Sequence, residues 1–372
     1  MFPITKVISL GCMKRKSATS LGSEGLLWRT PSRRRFLEVS PSWRAKGGAI
    51  MKLKTLAKVM FTTAALALTA AQSHAANIAV IAGSAEDNFF NVIKRGVDDA
   101  ATIVEAHGGK VTYMTVPNYD NFGPDLVSLI NTAVSQNVDG IAIPIWVPEA
   151  QLPALKEAAK KGIKIMLYNT RTASAEDAIG INYFGTDEKV AGIVGGEYLA
   201  KHGAKKILCV NHVPGAVNLE ARCNGIAEGI AKLGATMVQL PLPASAAPNM
   251  AATAEAIKAE LLKDPSIDAV ATLGAQATDA AAMAIEQAGV GDKVSLSAWD
   301  MSASILDRIK SGKQLMAIDQ QAYLQSFLAT TMLAANIDFG LAIATNPVLT
   351  GPIIIDSSNI DATLSGVKAG VR

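Results

Sequence analysis

NIAVIAGSAEDNFFNVIKRGVDDAATIVEAHGGKVTYMTV, residues 77–116, decides the fold. Asn77 to Ala82 (NIAVIA) is apolar without alternation, the pattern of a strand buried on both faces. From Asn91 to His107 the apolar residues Ile93, Val97, Ala100 and Val104 recur on one helical face, and the run stops at Gly108-Gly109. Lys110 to Val116 is a strand again. A buried strand, an amphipathic helix and a second buried strand make the unit from which parallel sheets are built.

Outward from there the unit repeats. The pattern predicts helices at 124–136 and 148–161, the latter with Pro148 in its first turn, and strands at 140–145 and 163–167. A polar stretch follows. The alternation then restarts with helices at 186–201 and 219–233 and strands at 206–210, 236–240, 267–272 and 294–298. Helices at 249–263, 278–289 and 302–311, a strand at 315–318 and a long helix at 321–337 complete the reading. There are too many such units for one sheet of ordinary size. The expectation is an α/β fold of two doubly wound parallel-sheet lobes, with no 20–50-residue sequence repeat behind it.

The chain has 372 residues, of which 49% are hydrophobic and only 5% aromatic, enough for two domains with sizeable cores. The net charge of +3 is unevenly spread. Residues 1–75 hold 13 of the 35 Lys/Arg and 2 of the 32 Asp/Glu, so the rest carries 22 basic and 30 acidic residues, a net of −8. A mildly acidic body argues against nucleic acid as a partner. In the leader, Met51 begins a run with Lys52, Lys54 and Lys58. Residues 59–71 are apolar but short for a membrane span, and Ser73-His74-Ala75 offers small residues for cleavage. Residues 51–75 therefore read as a signal peptide cleaved after Ala75 or Ala76, and a membrane anchor is the rival reading. Residues 1–50 read as an upstream extension of a mis-assigned start. Their Ser32-Arg33-Arg34-Arg35-Phe36-Leu37 resembles a twin-arginine signal, but the polar run that follows lacks its apolar region. The predicted compartment is the periplasm. Only Cys209 and Cys223 survive cleavage; one sits in a strand-like run and the other in a helix-like one, so two separate buried thiols are expected rather than a disulfide.

Open α/β sheets bind ligands at the carboxyl ends of their strands. In this chain those ends carry Phe89, Phe90, Trp146, Asn169, Gln276, Trp299, Asp300 and Gln320, with Arg222 on a helix that follows one of them. Asp87, Arg171, Asn211, His212 and Asn218 stand at similar places. Aromatic faces suit the C–H faces of sugars, while carboxylates, amides and a guanidinium take hydroxyls in pairs. Each residue has a plainer alternative. Phe90 would be core, Trp146 and Trp299 core caps, Asp300 a helix N-cap, Arg222 one half of a surface ion pair, and Asn169 and Gln320 turn residues. Phosphate loops, dinucleotide fingerprints, zinc-binding His pairs and nucleophile elbows are missing, so the chain reads as a binding protein rather than an enzyme, with no cofactor. Asp300→Ala and Arg222→Ala are expected to lose ligand while barely shifting the melting temperature of the unliganded protein, because an open cleft is solvated.

At these residues the sequence resembles the type I periplasmic sugar-binding proteins, the ribose- and galactose-binding group, over about residues 76–356. NIAVIAGSAEDNFFNVIKRGVDDAA resembles the opening strand, Phe-Phe loop and first helix. EARCNGIAEGI, SLSAWDMSASILDRIKSGK and MAIDQQAYLQS resemble the arginine, aspartate and glutamine segments. The resemblance implies lobes at 76–185 plus 321–350 and at 186–320 plus 351–372, joined by a multi-strand hinge. It implies ligand roles for Phe89, Phe90, Asn169, Arg222, Asp300 and Gln320. It further implies a monomer that captures a small neutral sugar or polyol and hands it to an ABC permease in the inner membrane. The alternative is a receptor presenting its ligand to a chemotaxis or quorum-sensing membrane sensor. Two positions depart from the pattern. Asn169-Thr170 stands where the group has Asp-Arg, and Gly274-Ala275 where it has Asn-Asp, which argues against ribose or glucose itself. Gln276 is the substitute for the lost amide.

Overall fold

The computed structural model describes residues 75–172, 179–243, 246 and 249–372. The segments read above as a signal peptide and an upstream extension lie, up to residue 74, outside the described residues.

The first sheet runs β11-β5-β4-β3-β1-β2, with β1 Asn77–Ala82, β2 Lys110–Thr115, β3 Gly140–Ile143, β4 Lys164–Asn169, β5 Gly180–Thr186 and β11 Val348–Gly351. All of its pairings are parallel, and β1 lies between the edge strand β2 and β3, with Ile78 opposite Val111 on one side and Gly140 on the other. The second sheet runs β12-β10-β9-β8-β6-β7, with β6 Lys206–Asn211, β7 Thr236–Pro241, β8 Ala269–Thr272, β9 Ser295–Trp299, β10 Met316–Asp319 and β12 Ile353–Ile355. Only β12 is antiparallel. Helices α1 Asn88–Ala106, α2 Phe122–Ser135, α3 Pro148–Lys160 and α9 Ala322–Phe339 pack with the first sheet. Helices α4 Glu188–Lys201, α5 Val217–Ala231, α6 Met250–Lys263, α7 Ala275–Gln287, α8 Ala303–Lys310 and α10 Ile360–Lys368 belong with the second. The architecture is the α/β, two-lobed, doubly wound one expected from the sequence.

The chain passes between the sheets three times, after β5, after β10 and between β11 and β12. These crossings meet at Gly351. A Cβ there would lie 2.8 Å from the Asp319 carbonyl oxygen and 2.9 Å from Thr186 Oγ1, so glycine is what lets three backbones share the point. Side chains tie the crossings together. Gln321 Nε2 donates to the Thr350 carbonyl at 2.7 Å, and Thr350 Oγ1 donates to the Gln320 carbonyl at 2.7 Å.

Three readings need correction. Residues 180–186 form β5, not the end of a polar connection and the start of a helix; Asn182 and flanking glycines dilute a strand whose Tyr183 and Phe184 are fully buried. The C-terminal elements β11, β12 and α10 were not anticipated, being too short for periodicity to show. Cys209 and Cys223 are bonded to each other, not separate thiols. The strand and helix that carry them pack face to face, with Cα atoms 5.9 Å apart, a distance periodicity does not reveal.

Candidate functional site: the cleft between the sheets

Both sheets aim the carboxyl ends of their strands at one cavity of about 520 Å³, within the range of small-molecule sites. From the first sheet come Asp87, Phe89 and Phe90 after β1, Tyr119 and Phe122 after β2, Trp146 after β3 and Asn169 at the end of β4. The second sheet contributes His212 after β6, Asn218 and Arg222 on α5, Gln276 at the start of α7, Asp300 after β9 and Gln320 after β10.

The first-sheet wall is aromatic. Phe90 meets Phe89 and Trp146 edge-on, with ring centres 5.1 and 5.6 Å apart, and Phe122 leans on Trp146 at 5.2 Å. Each contact fixes a ring that offers a face or edge to a ligand. Asp87 caps α1 by accepting the Phe89 N–H at 3.1 Å, which sets the Phe-Phe turn, and its other oxygen accepts the Tyr119 hydroxyl at 2.9 Å. Burial raises its carboxyl above the usual range. Asn169 sits in the left-handed region at φ 59°. Its Oδ1 accepts from Trp146 Nε1 at 3.1 Å and from Thr170 Oγ1 at 2.9 Å, while its amide donates to Gln325 Oε1 at 3.1 Å. With the oxygen filled, the remaining amide hydrogen is what Asn169 has to offer a ligand.

The second-sheet wall is a polar chain. Arg222 is buried and bidentate to Glu188, Nε to Oε2 at 2.6 Å and Nη2 to Oε1 at 2.9 Å. Its Nη1 donates to the Leu273 carbonyl and its Nη2 to Gln320 Oε1, both at 2.9 Å. Gln320 Nε2 in turn donates to Asp300 Oδ1 at 2.6 Å. Four of the five guanidinium hydrogens are thus used, leaving one for a ligand. Burial pushes the Asp300 carboxyl up to about 7, against the Arg222 charge and the Gln320 hydrogen bond. Glu188 reaches Arg222 because α4 and α5 nearly touch. A Cβ on Gly192 would fall 2.3 Å from the Arg222 carbonyl and 2.8 Å from the Gly225 Cα.

The cleft is closed. Gln276 Nε2 donates across it to the Glu86 carbonyl at 2.8 Å, and the Val217 N–H donates to the Trp146 carbonyl at 3.0 Å.

Two sequence expectations change. Trp299 does not line the cavity; it is fully buried with its ring under the Arg222 guanidinium at 5.5 Å, and it supports that side chain instead. Arg222 is neither a surface ion pair nor a group resting in an open solvated cleft, so Arg222→Ala is no longer expected to leave the unliganded protein unperturbed. Phe89, Phe90, Trp146, Asn169, Gln276, Asp300 and Gln320 line the cavity with Arg222. Sequence reasoning missed Tyr119, Phe122 and Glu188. The first two follow β2 and were findable by the strand-end rule; Glu188 lies in the first turn of α4, where an acid ordinarily serves the helix alone.

A family model described as a periplasmic binding protein domain matches residues 78–341. The chain belongs to that family. Its two doubly wound lobes are those of a type I periplasmic binding protein. A solved carbohydrate transporter from Acidothermus cellulolyticus, in complex with myo-inositol, is similar at 31% identity over 80% of this chain and 99% of that one, with a TM-score of 0.73. A solute-binding protein from Burkholderia graminis, in complex with D-arabinose, is 24% identical over 77% of this chain and 96% of that one, with a TM-score of 0.66, and shares the fold. The xylose/arabinose-binding protein XylF of Sulfolobus acidocaldarius is 21% identical over 291 residues, covering 74% of this chain and 70% of the relative. Periplasmic binding proteins bind solutes rather than transform them, in keeping with a cavity built of fixed hydrogen-bonding groups and ring faces.

Proposed function

We propose that this periplasmic binding protein captures a neutral monosaccharide or polyol in its interlobe cleft and delivers it to an ABC permease. The observation that carries the ligand class is the state of Arg222. Among the described residues it is the cation that lines the cavity, and Glu188 already neutralises it. Asp87 and Asp300 face the same space, so a phosphate or carboxylate ligand would meet acidic side chains and, among the described residues, no free positive charge to hold it. A ring bearing hydroxyls would instead stack on the Phe90–Trp146 wall and share its hydroxyls among Asp300, Asn169 and Arg222. A relative at 31% identity is a carbohydrate transporter holding myo-inositol, which supports a cyclitol within this class and the transport role over presentation to a membrane sensor. The leader supports export, with the mature protein starting at Ala76 or Asn77 and acting as a monomer.

A thermal-shift and calorimetric screen tests the reading, with myo-inositol, D-xylose, L-arabinose, D-ribose, D-glucose, D-glucuronate and glucose 6-phosphate. A neutral ligand at a hundred times its Kd should add about 2.7 kcal/mol of stability. Tight binding confined to the two anions would refute the proposal.

A further inference from the structure

His212 follows β6 directly and lines the cavity. Its Nδ1 is buried with no hydrogen-bond partner among the described residues. The other ring nitrogen, Nε2, is not buried in this way and has no protein partner among them either. Gly274 makes the room: a Cβ there would lie 3.0 Å from His212 Cε1 and 3.3 Å from Nε2. Burial, helped by the nearby Arg222 charge, holds the ring's pKa down to about 4, so it is neutral across the physiological range. A neutral imidazole carries a single N–H. On Nδ1 that hydrogen would be a buried donor with no acceptor, a costlier fault than an unfilled acceptor lone pair. The favoured tautomer therefore protonates Nε2, the nitrogen open to the cavity.

We propose that His212 is a specificity-determining residue whose Nε2–H donates to a ligand oxygen. The inference rests on the reading of the cavity as a polyol site. It adds a requirement to it: besides the hydroxyls that pair with Asp300, the ligand must present an oxygen that accepts, either a ring oxygen or a hydroxyl. A neutral donor fits a neutral ligand, because it adds specificity without adding charge.

The test compares His212→Phe, which keeps a flat ring and removes the donor, with His212→Gln, whose amide nitrogen reaches about as far as Nε2. Binding of myo-inositol and D-xylose is measured by calorimetry. His212→Phe should weaken the probe the wild type binds by about ten- to hundredfold, with the apo melting temperature moved by no more than about 2 °C. His212→Gln should recover binding to within about threefold of wild type. If a cyclitol hydroxyl is the acceptor, the loss appears with myo-inositol; if a ring oxygen is, it appears with D-xylose. Equal affinity of wild type and His212→Phe would overturn the proposal. Should the wild type bind neither probe, the polyol reading suffers, and His212 is judged separately by long-range proton–nitrogen NMR at pH 7. A ring protonated on Nδ1, or on both nitrogens, would overturn it whatever the ligand.

Discussion

Replacing Arg222 with methionine should destabilise the protein even with no ligand present. The Arg222 and Glu188 side chains are 3% and 8% exposed, so the variant leaves a carboxylate that water barely reaches. Breaking a buried pair from one side costs about 3–5 kcal/mol, because the orphaned charge keeps its desolvation penalty and loses its partner. The Leu273 carbonyl and Gln320 Oε1 lose a donor as well, at about 1 kcal/mol each. Protonation of Glu188 caps the total, so about 4 kcal/mol is expected at pH 7. At roughly 2 °C per kcal/mol for a protein of this size, the melting temperature falls by about 8 °C. Glu188→Met/Arg222→Met removes both charges and should return to within about 2 kcal/mol of wild type. Urea melts of the unliganded wild type, both single variants and the double variant supply the full cycle. Wild-type stability in Arg222→Met, or a double variant no better than the single ones, would refute the argument that the pair is buried and mutually dependent.

The disulfide closes the segment between Cys209 and Cys223, and Cys209→Ala/Cys223→Ala should cost about 3 kcal/mol in a urea melt, while thiol titration of the protein from Ala76 onward, unfolded and unreduced, finds no free cysteine. Gln276→Ala removes an exposed hydrogen bond that joins the lobes in the closed form, so affinity for the identified ligand should fall by about three- to tenfold in calorimetry, with the apo melting temperature moved by no more than about 2 °C. Two groups set opposite pH trends. His212 is held down to about 4 from 6.5, so the stability it contributes is complete above pH 6.5 and is lost as pH falls toward 4; His212→Phe should flatten that loss in melting curves. Asp300 is raised from 3.8 to about 7, so its burial is tolerated below pH 3.8 and costs increasingly as pH rises toward 7; Asp300→Asn should flatten that decline, and an unchanged slope would contradict the burial of its carboxyl.

The sequence revealed the strand ends, and through them most of the cavity wall, because a buried strand followed by an amphipathic helix announces itself in local pattern. It could not say which strand-end residue faces ligand and which supports another. Trp299 and Trp146 look alike in sequence, yet one lies beneath a guanidinium and the other in the aromatic wall. Gln276 sits where an amide contact to ligand was expected, and its nitrogen spans the two lobes.

Alternation of apolar runs with helical faces determined the two doubly wound lobes, and composition separated a basic leader from an acidic body. Both are properties of neighbours along the chain. What only the tertiary structure decided involves residues far apart in sequence: the Cys209–Cys223 bond, the meeting of three crossing segments at Gly351, and the neutralisation of Arg222 by Glu188, 34 residues earlier. The last matters most for function. A lone arginine in a cleft suggests an anion, whereas one held by a buried carboxylate is spent. The distinction rests on an approach between α4 and α5 that glycines on both helices permit and no local pattern records.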